Sequence, residues 1–333
     1  MKTYAIMGAS GHIGSHIAER LLELGNKVRV IARRREKLEP LVSRGAKAAE
    51  GDATDTQFLV RTFRGTDGVF AMIPPDLRAE HVRATQARIG ISIAEALSKA
   101  GVKHVVNLSS QGAHLTAGTG PIVGLHEQEE RLNSIPGLNV VHLRAAFFME
   151  NLANGIGMIK TQGLHGTPLR GDLRIPVIAT RDIARVAVDY LLGLRFSGIT
   201  VRDLLGQRDL SMVEMTQILG KAIGKPDLRY VQFPYDAARE AMLGLGLSAD
   251  VSRAFIEMYE ALNEGRIMGG VARTPENTTE TSFEDYAVEF ARLYAAQPAE
   301  APSSRQAVEP PRPVQEEAHR NIWEVLSHRR RAA

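Results

Sequence analysis

Short runs of β-branched and other apolar residues alternate with amphipathic stretches over the first 145 residues. The runs at 3–8, 27–32, 46–50, 69–73, 104–108 and 139–143 predict six strands. Between them, Ile17, Ala18, Leu21 and Leu22 recur at helical spacing, so 14–24 predicts a helix. Helices are also predicted over 36–43, 57–64, 79–99 and 125–133. Strict alternation of the two element types predicts a doubly wound parallel sheet with helices on both faces, an α/β fold of the Rossmann kind.

The rhythm changes after residue 150. Glycines 155, 157, 163 and 166 lead to a strand at 175–178 and a helix over 182–192. Ser211, with Glu214 three positions on, has capping-box spacing and predicts a helix to about 223. Residues 235–265 read as mostly helical, and Ser282 opens a helix reaching about 295. The expected organisation is a dinucleotide-binding domain over 1–150, a smaller, mostly helical substrate-covering region over 151–296, and a tail over 297–333. The tail holds prolines 298, 302, 310, 311 and 313, and reads as a flexible linker over 297–314. Residues 315–331 then predict a short helix. It is either a frayed end or a docking segment around Ile322, Trp323 and Leu326.

Composition narrows the chemistry. The 333 residues contain no cysteine, which excludes a thiol nucleophile, a disulfide framework and thiolate-bound metal. Lys and Arg number 41 against 38 Asp and Glu. A surplus of three charges is too weak a field for direct nucleic-acid binding. The N-terminus shows no secretory pattern, and no apolar run of membrane length occurs, so a cytoplasmic protein is expected.

Gly8-Ala9-Ser10-Gly11-His12-Ile13-Gly14 follows the first strand and opens the first helix. In that context the first glycine permits the sharp turn, the second lets the backbone approach a pyrophosphate, and the third lets helix and strand pack closely. The helix N-terminus offers free N–H groups to the phosphates. His12 and His16 have a metal-ligand spacing, but no third ligand is evident and no metal is expected. An NAD site places an acidic residue at the end of the second strand, whereas this chain has Arg33, Arg34 and Arg35 there. Guanidinium groups suit a 2′-phosphate, so NADP(H) is expected over NAD(H), with Arg33 and Arg34 as its contacts. Asp52 and Ala53 follow the third strand, where Asp52 can meet the adenine amino group. Ile73 and Pro74 end the fourth strand and can line the ribose path.

These segments together resemble the NmrA-like branch of the short-chain dehydrogenases, which includes quinone reductases, triphenylmethane-type reductases and redox-sensing regulators. The resemblance rests on the glycine loop, Gly51-Asp52, Asn107-Leu-Ser-Ser110, 143–152, 176–184 and 210–214, and covers about residues 1 to 295. It implies that later segments return to the first sheet. It also implies Asn107 near the cofactor, Ser109 near the reacting end, and Asn151 as a substrate-site residue.

Here the chain departs from the wider superfamily. The stretch corresponding to Tyr-x-x-x-Lys reads Ile122-Val-Gly-Leu-His126, without either residue. His126 either bonds the nicotinamide ribose, serves as an acid near neutral pH, or is a surface histidine. Loss of the tyrosine argues against alcohol dehydrogenation or epimerisation. It permits hydride transfer to a small quinone-like or otherwise unsaturated acceptor. Phe147 and Phe148 can form an apolar floor for a flat substrate. The rival expectation is a non-enzymatic NAD(P)-binding sensor acting through a protein partner at the tail; a homodimer is a further possibility.

Overall fold

The computed structural model describes residues 1–297. In chain order the strands are β1 (Thr3–Ile6), β2 (Lys27–Ala32), β3 (Lys47–Glu50), β4 (Gly68–Ala71), β5 (His104–Ser110) and β6 (Asn139–Ala145). They continue as β7 (Phe147–Phe148), β8 (Leu164–Thr167), β9 (Ile175–Ile178), β10 (Ile199–Leu204), β11 (Asp209–Leu210) and β12 (Arg229–Gln232). The helices are α1 (His12–Glu23), α2 (Glu39–Val42), α3 (Thr56–Phe63), α4 (Val82–Ala100), α5 (Ile122–Asn133) and α6 (Ile156–Gln162). Then come α7 (Thr180–Gly193), α8 (Met212–Ala222), α9 (Tyr235–Gly244), α10 (Ala249–Asn263) and α11 (Phe283–Ala296).

Seven strands form one sheet in the order β10-β6-β5-β4-β1-β2-β3, and every pairing in it is parallel. A parallel sheet is covered on both faces, which explains why its central strands are near-continuous apolar runs. β4 is buried along its whole length. One face packs Ile17 and Leu21 of α1 with Ile183 and Leu191 of α7; the other packs Phe63 of α3 with Ile93 and Leu97 of α4. A third cluster lies under the C-terminal helices, around Met212, Leu219, Phe283 and Phe290. Among the described residues, no helix is long and apolar enough to cross a membrane.

The six expected strands and the doubly wound arrangement are present, with the C-terminal helical region beside them. Ser211 and Ser282 both close capping boxes, with Glu214 and Asp285. Three differences have local causes. The helix expected over 36–43 divides into a 3₁₀ turn and α2, because Pro40 has no N–H and is tolerated only in a first turn. The span 235–265 breaks into α9 and α10 at Gly246, which adopts a φ of +85°. The strand β10 had no clear signal, since Ile199 and Val201 are exposed at the sheet edge. It nevertheless pairs with β6 over six residues, returning a late segment to the first sheet. The expectations for the linker beyond 297, the helix over 315–331 and Trp323 lie outside the described residues.

Candidate functional site

The strand order reverses between β1 and β4, and the loops that follow their C-terminal ends open a crevice there. Gly8 turns the chain out of β1 with a φ of +64°, and a Cβ on it would lie 2.3 Å from the Met72 sulfur. The amide of Gly11 donates to the Gly8 carbonyl at 2.9 Å, closing the loop. At Gly14 a Cβ would fall 2.4 Å from the Gly8 carbonyl oxygen, so α1 packs against its own loop at a distance only glycine allows. Helix α1 has no side-chain cap and no acidic residue in its first turn. Its first N–H groups and positive dipole end therefore remain available to an anion.

A cleft of about 470 Å³ extends from this loop over the ends of β2, β3 and β4. It gathers Gly8, Ser10, Arg33, Asp52, Ala53 and Pro74 from the residues expected at a cofactor. Asp52 Oδ1 accepts from the Thr54 amide at 2.8 Å and from the Thr54 hydroxyl at 2.7 Å. Those bonds, then Arg33 and Arg88, hold the Asp52 carboxyl below its usual range. Oδ2 has no protein partner among the described residues and is free to accept. His12 is exposed at the start of α1, and Ile13 packs into the core beneath the loop. His16 Nδ1 lies 3.9 Å from Glu19, and no group of three potential metal ligands gathers among the described residues.

Seven expected cofactor residues are not among those lining this cleft: Gly11, His12, Ile13 and Gly14 of the loop and the start of α1, and Arg34, Ile73 and Asn107. Arg34 turns to Glu36 at 3.4 Å on the open surface. Ile73 is buried in the core cluster beneath α3 and α4. Asn107 is also buried, and its Nδ2 donates to His142 Nδ1 at 3.1 Å. His142 Nε2–H donates to Asn133 Oδ1, an arrangement suited to the neutral ring that burial favours. Conversely, one face of α4 contributes Thr85, Arg88 and Ile89 to the cleft. Their i, i+3, i+4 spacing is visible in the sequence, but nothing there says which way that face turns.

Among the residues expected at the reacting end, Ser109 is buried and donates to Glu129 Oε1 at 2.5 Å. Arg144 clamps the same carboxylate with two bonds, at 3.0 and 2.5 Å. His126 Nδ1 lies 2.9 Å from the Ala113 carbonyl, which can only accept, so Nδ1 carries the proton and Nε2 faces elsewhere. Phe147 and Phe148 alternate across β7: Phe147 packs on the cluster under the C-terminal helices, Phe148 on the sheet core. Asn151 is exposed in the 3₁₀ turn that follows.

A glycine loop at a strand-to-helix turn, a switch-point cleft and a cation at the end of β2 define a dinucleotide-binding α/β protein. The NmrA-like family model matches residues 1–294, and the chain belongs to that family. It is 30% identical to the NAD(P)H azoreductase of Xenophilus azovorans, over 87% of this chain and 97% of that one. Its fold is similar to that of Citrobacter triphenylmethane reductase complexed with NADP(H), with a TM-score of 0.71 at 18% identity, covering 86% of this chain and 99% of that one. It is also similar to the NADPH-bound quinone oxidoreductase of Escherichia coli, with a TM-score of 0.67 at 19% identity over 86% and 99% of the two chains.

Proposed function

We propose that this protein is an NADPH-preferring reductase that passes hydride to a small quinone-like, azo or otherwise unsaturated acceptor. The observation that carries the cofactor preference is the pair of guanidinium groups, Arg33 and Arg88, lining the cleft where an NAD site would have an acid. The residues fit such a cofactor. Gly8 and Gly14 let the loop fold tightly on Met72 and on itself where a Cβ would clash, the N–H groups of α1 suit the pyrophosphate, and Asp52 Oδ2 can accept from the adenine amino group. Arg33 is the 2′-phosphate contact, with Arg88 of α4 lining the same cleft; Arg34 is left to Glu36. When bound, the reduced nicotinamide supplies the hydride, and the protein's part is to orient the reactants and exclude water. His126, anchored by Ala113, holds its ring beside the reacting end, where Nε2 can bond a ribose hydroxyl. Relatives that act on azo compounds, triphenylmethane dyes and quinones support the acceptor class.

Purified protein mixed with NADPH or NADH and a panel of quinones and azo dyes tests this reading through loss of reduced-nicotinamide absorbance. The expected result is turnover with at least one acceptor and a preference for NADPH. Tight NADPH binding with no turnover on any acceptor would favour the sensor instead.

A further inference from the structure

The loop over 111–121 joins the C-terminal end of β5 to α5. In a parallel sheet that end is where ligands are received. Near the start of the loop, the Ala113 carbonyl accepts from His126 Nδ1–H at 2.9 Å. Where the His126 ring points therefore depends on where this loop lies.

One segment from the other half of the chain grips the loop near both of its ends, each time at a glycine. A Cβ on Gly112 would fall 3.0 Å from Ile267 Cγ2. One on Gly118 would fall 2.9 Å from Arg266 Nη1, and one on Gly120 would fall 1.9 Å from the Ala254 carbonyl oxygen of α10. Arg266 Nη1 also donates to the Gly118 carbonyl at 2.5 Å. The segment that makes these contacts is itself firm. The amides of Gly265 and Arg266 donate to the Leu262 and Ala261 carbonyls at 3.0 and 2.9 Å, which ties the turn to the end of α10.

The grips differ in kind. Ile267 is a buried wedge in the apolar cluster that also holds Ala113 and Ile122, so it serves the fold. Arg266 is exposed; apart from the loop it bonds only Glu264, two residues before it. An exposed side chain of this sort adds little to global stability. It nevertheless holds a glycine-rich loop whose backbone has more freedom to lose than any other.

We propose that Arg266 is a positioning residue for His126. By holding the Gly118 carbonyl it keeps the loop against the turn after α10. The Ala113 carbonyl then stays where it fixes the proton on Nδ1 and leaves Nε2 to accept. The acceptance of a nicotinamide-ribose hydroxyl by Nε2 rests on the reductase reading above; the orientation of the ring does not.

Two measurements on the full-length protein test this. Two-bond proton–nitrogen NMR of the neutral His126 ring should place the wild-type proton on Nδ1. Arg266→Ala should release the ring to a mixture of both tautomers, and Arg266→Lys, which keeps a donor for Gly118, should restore the Nδ1–H form. By titration, His126→Ala should weaken NADPH roughly 3- to 10-fold, the worth of one hydrogen bond. Arg266→Ala should weaken it in the same way, and the double variant should be no worse than His126→Ala alone. The probe 2′,5′-ADP, which lacks the nicotinamide ribose, should bind every variant alike, and melting temperatures should match wild type. An unchanged tautomer in Arg266→Ala would overturn the proposal. So would additive losses in the double variant, or a parallel loss of 2′,5′-ADP affinity and melting temperature, which marks a structural role. A released tautomer with NADPH affinity untouched by His126→Ala would uphold the positioning and defeat the ribose contact in the reductase reading.

Discussion

At the end of the crevice proposed for the adenine, Met7, Gly8, Ser10 and residues 31–33 and 51–54 converge from the ends of β1, β2 and β3. At the end proposed for the acceptor, Ser109, His126 and Phe147 come from β5, α5 and β7. The first end is built mainly from backbone, so its demands fall on residue type at fixed local spacing: glycine where a Cβ would strike, a free helix N-terminus, a short side chain at Asp52. The second end is built from side chains carried by elements distant in sequence. Its members are held by long-range partners, such as Glu129 for Ser109 and Arg144, or the packing of α10 on Gly120. A motif marks the first kind of site. Only packing assembles the second.

The sharpest break in this contrast is at the backbone. Gly14→Val would place atoms against the Gly8 carbonyl, where no side chain can move aside. The expected cost exceeds the roughly 1–3 kcal/mol of ordinary overpacking. It would be seen as a lower melting temperature and loss of NADPH binding by fluorescence titration. A soluble variant that binds NADPH normally would show that close packing there is dispensable.

The next largest effect is expected at the other end. Glu129 is almost fully buried, and Glu129→Ala leaves the Arg144 guanidinium without its clamp partner. Removing one member of such a pair costs roughly 3–5 kcal/mol. Chemical denaturation should read that loss, while the NADPH/NADH preference stays unchanged because the adenine end is untouched. A shift in that preference would mean the two ends are not independent.

The smallest effect is the most specific. Arg33→Ala and Arg88→Ala should each weaken NADPH by roughly 10- to 100-fold, the loss of a charged hydrogen bond of about 1.5–3 kcal/mol. NADH affinity should change far less, and Arg34→Ala should change neither. Equal weakening of both cofactors at Arg88 would mean that it stacks on the adenine and does not meet the 2′-phosphate.

The glycine loop, the six strands and the place of Asp52 and Arg33 at strand ends beside the cleft were legible because each answers a local requirement: a positive φ, an apolar run, a strand end followed by a turn. Arg34 was not separable from Arg33, since adjacent residues leave a strand end in different directions and Glu36 captures one of them. Ile73 and Asn107 were expected at the cofactor from their places near strand ends. Alternation along β5 decides which face Asn107 takes, Ile73 lies just past the end of β4, and both side chains are buried. Edge strand β10 escaped notice because exposed apolar positions carry no burial pattern, and its partner β6 lies more than fifty residues earlier.

Sequence by itself determined the doubly wound fold, the tight glycine loop between β1 and α1 and the absence of an acid at the end of β2, because periodicity, glycine and charge act over a few residues. Tertiary structure alone decided that Arg88 joins Arg33 in lining the cleft and that Ser109 is committed to Glu129. Those outcomes depend on how helices α4 and α5 turn against one another. That rotation is set by the packing of whole faces, a quantity no short stretch of chain contains.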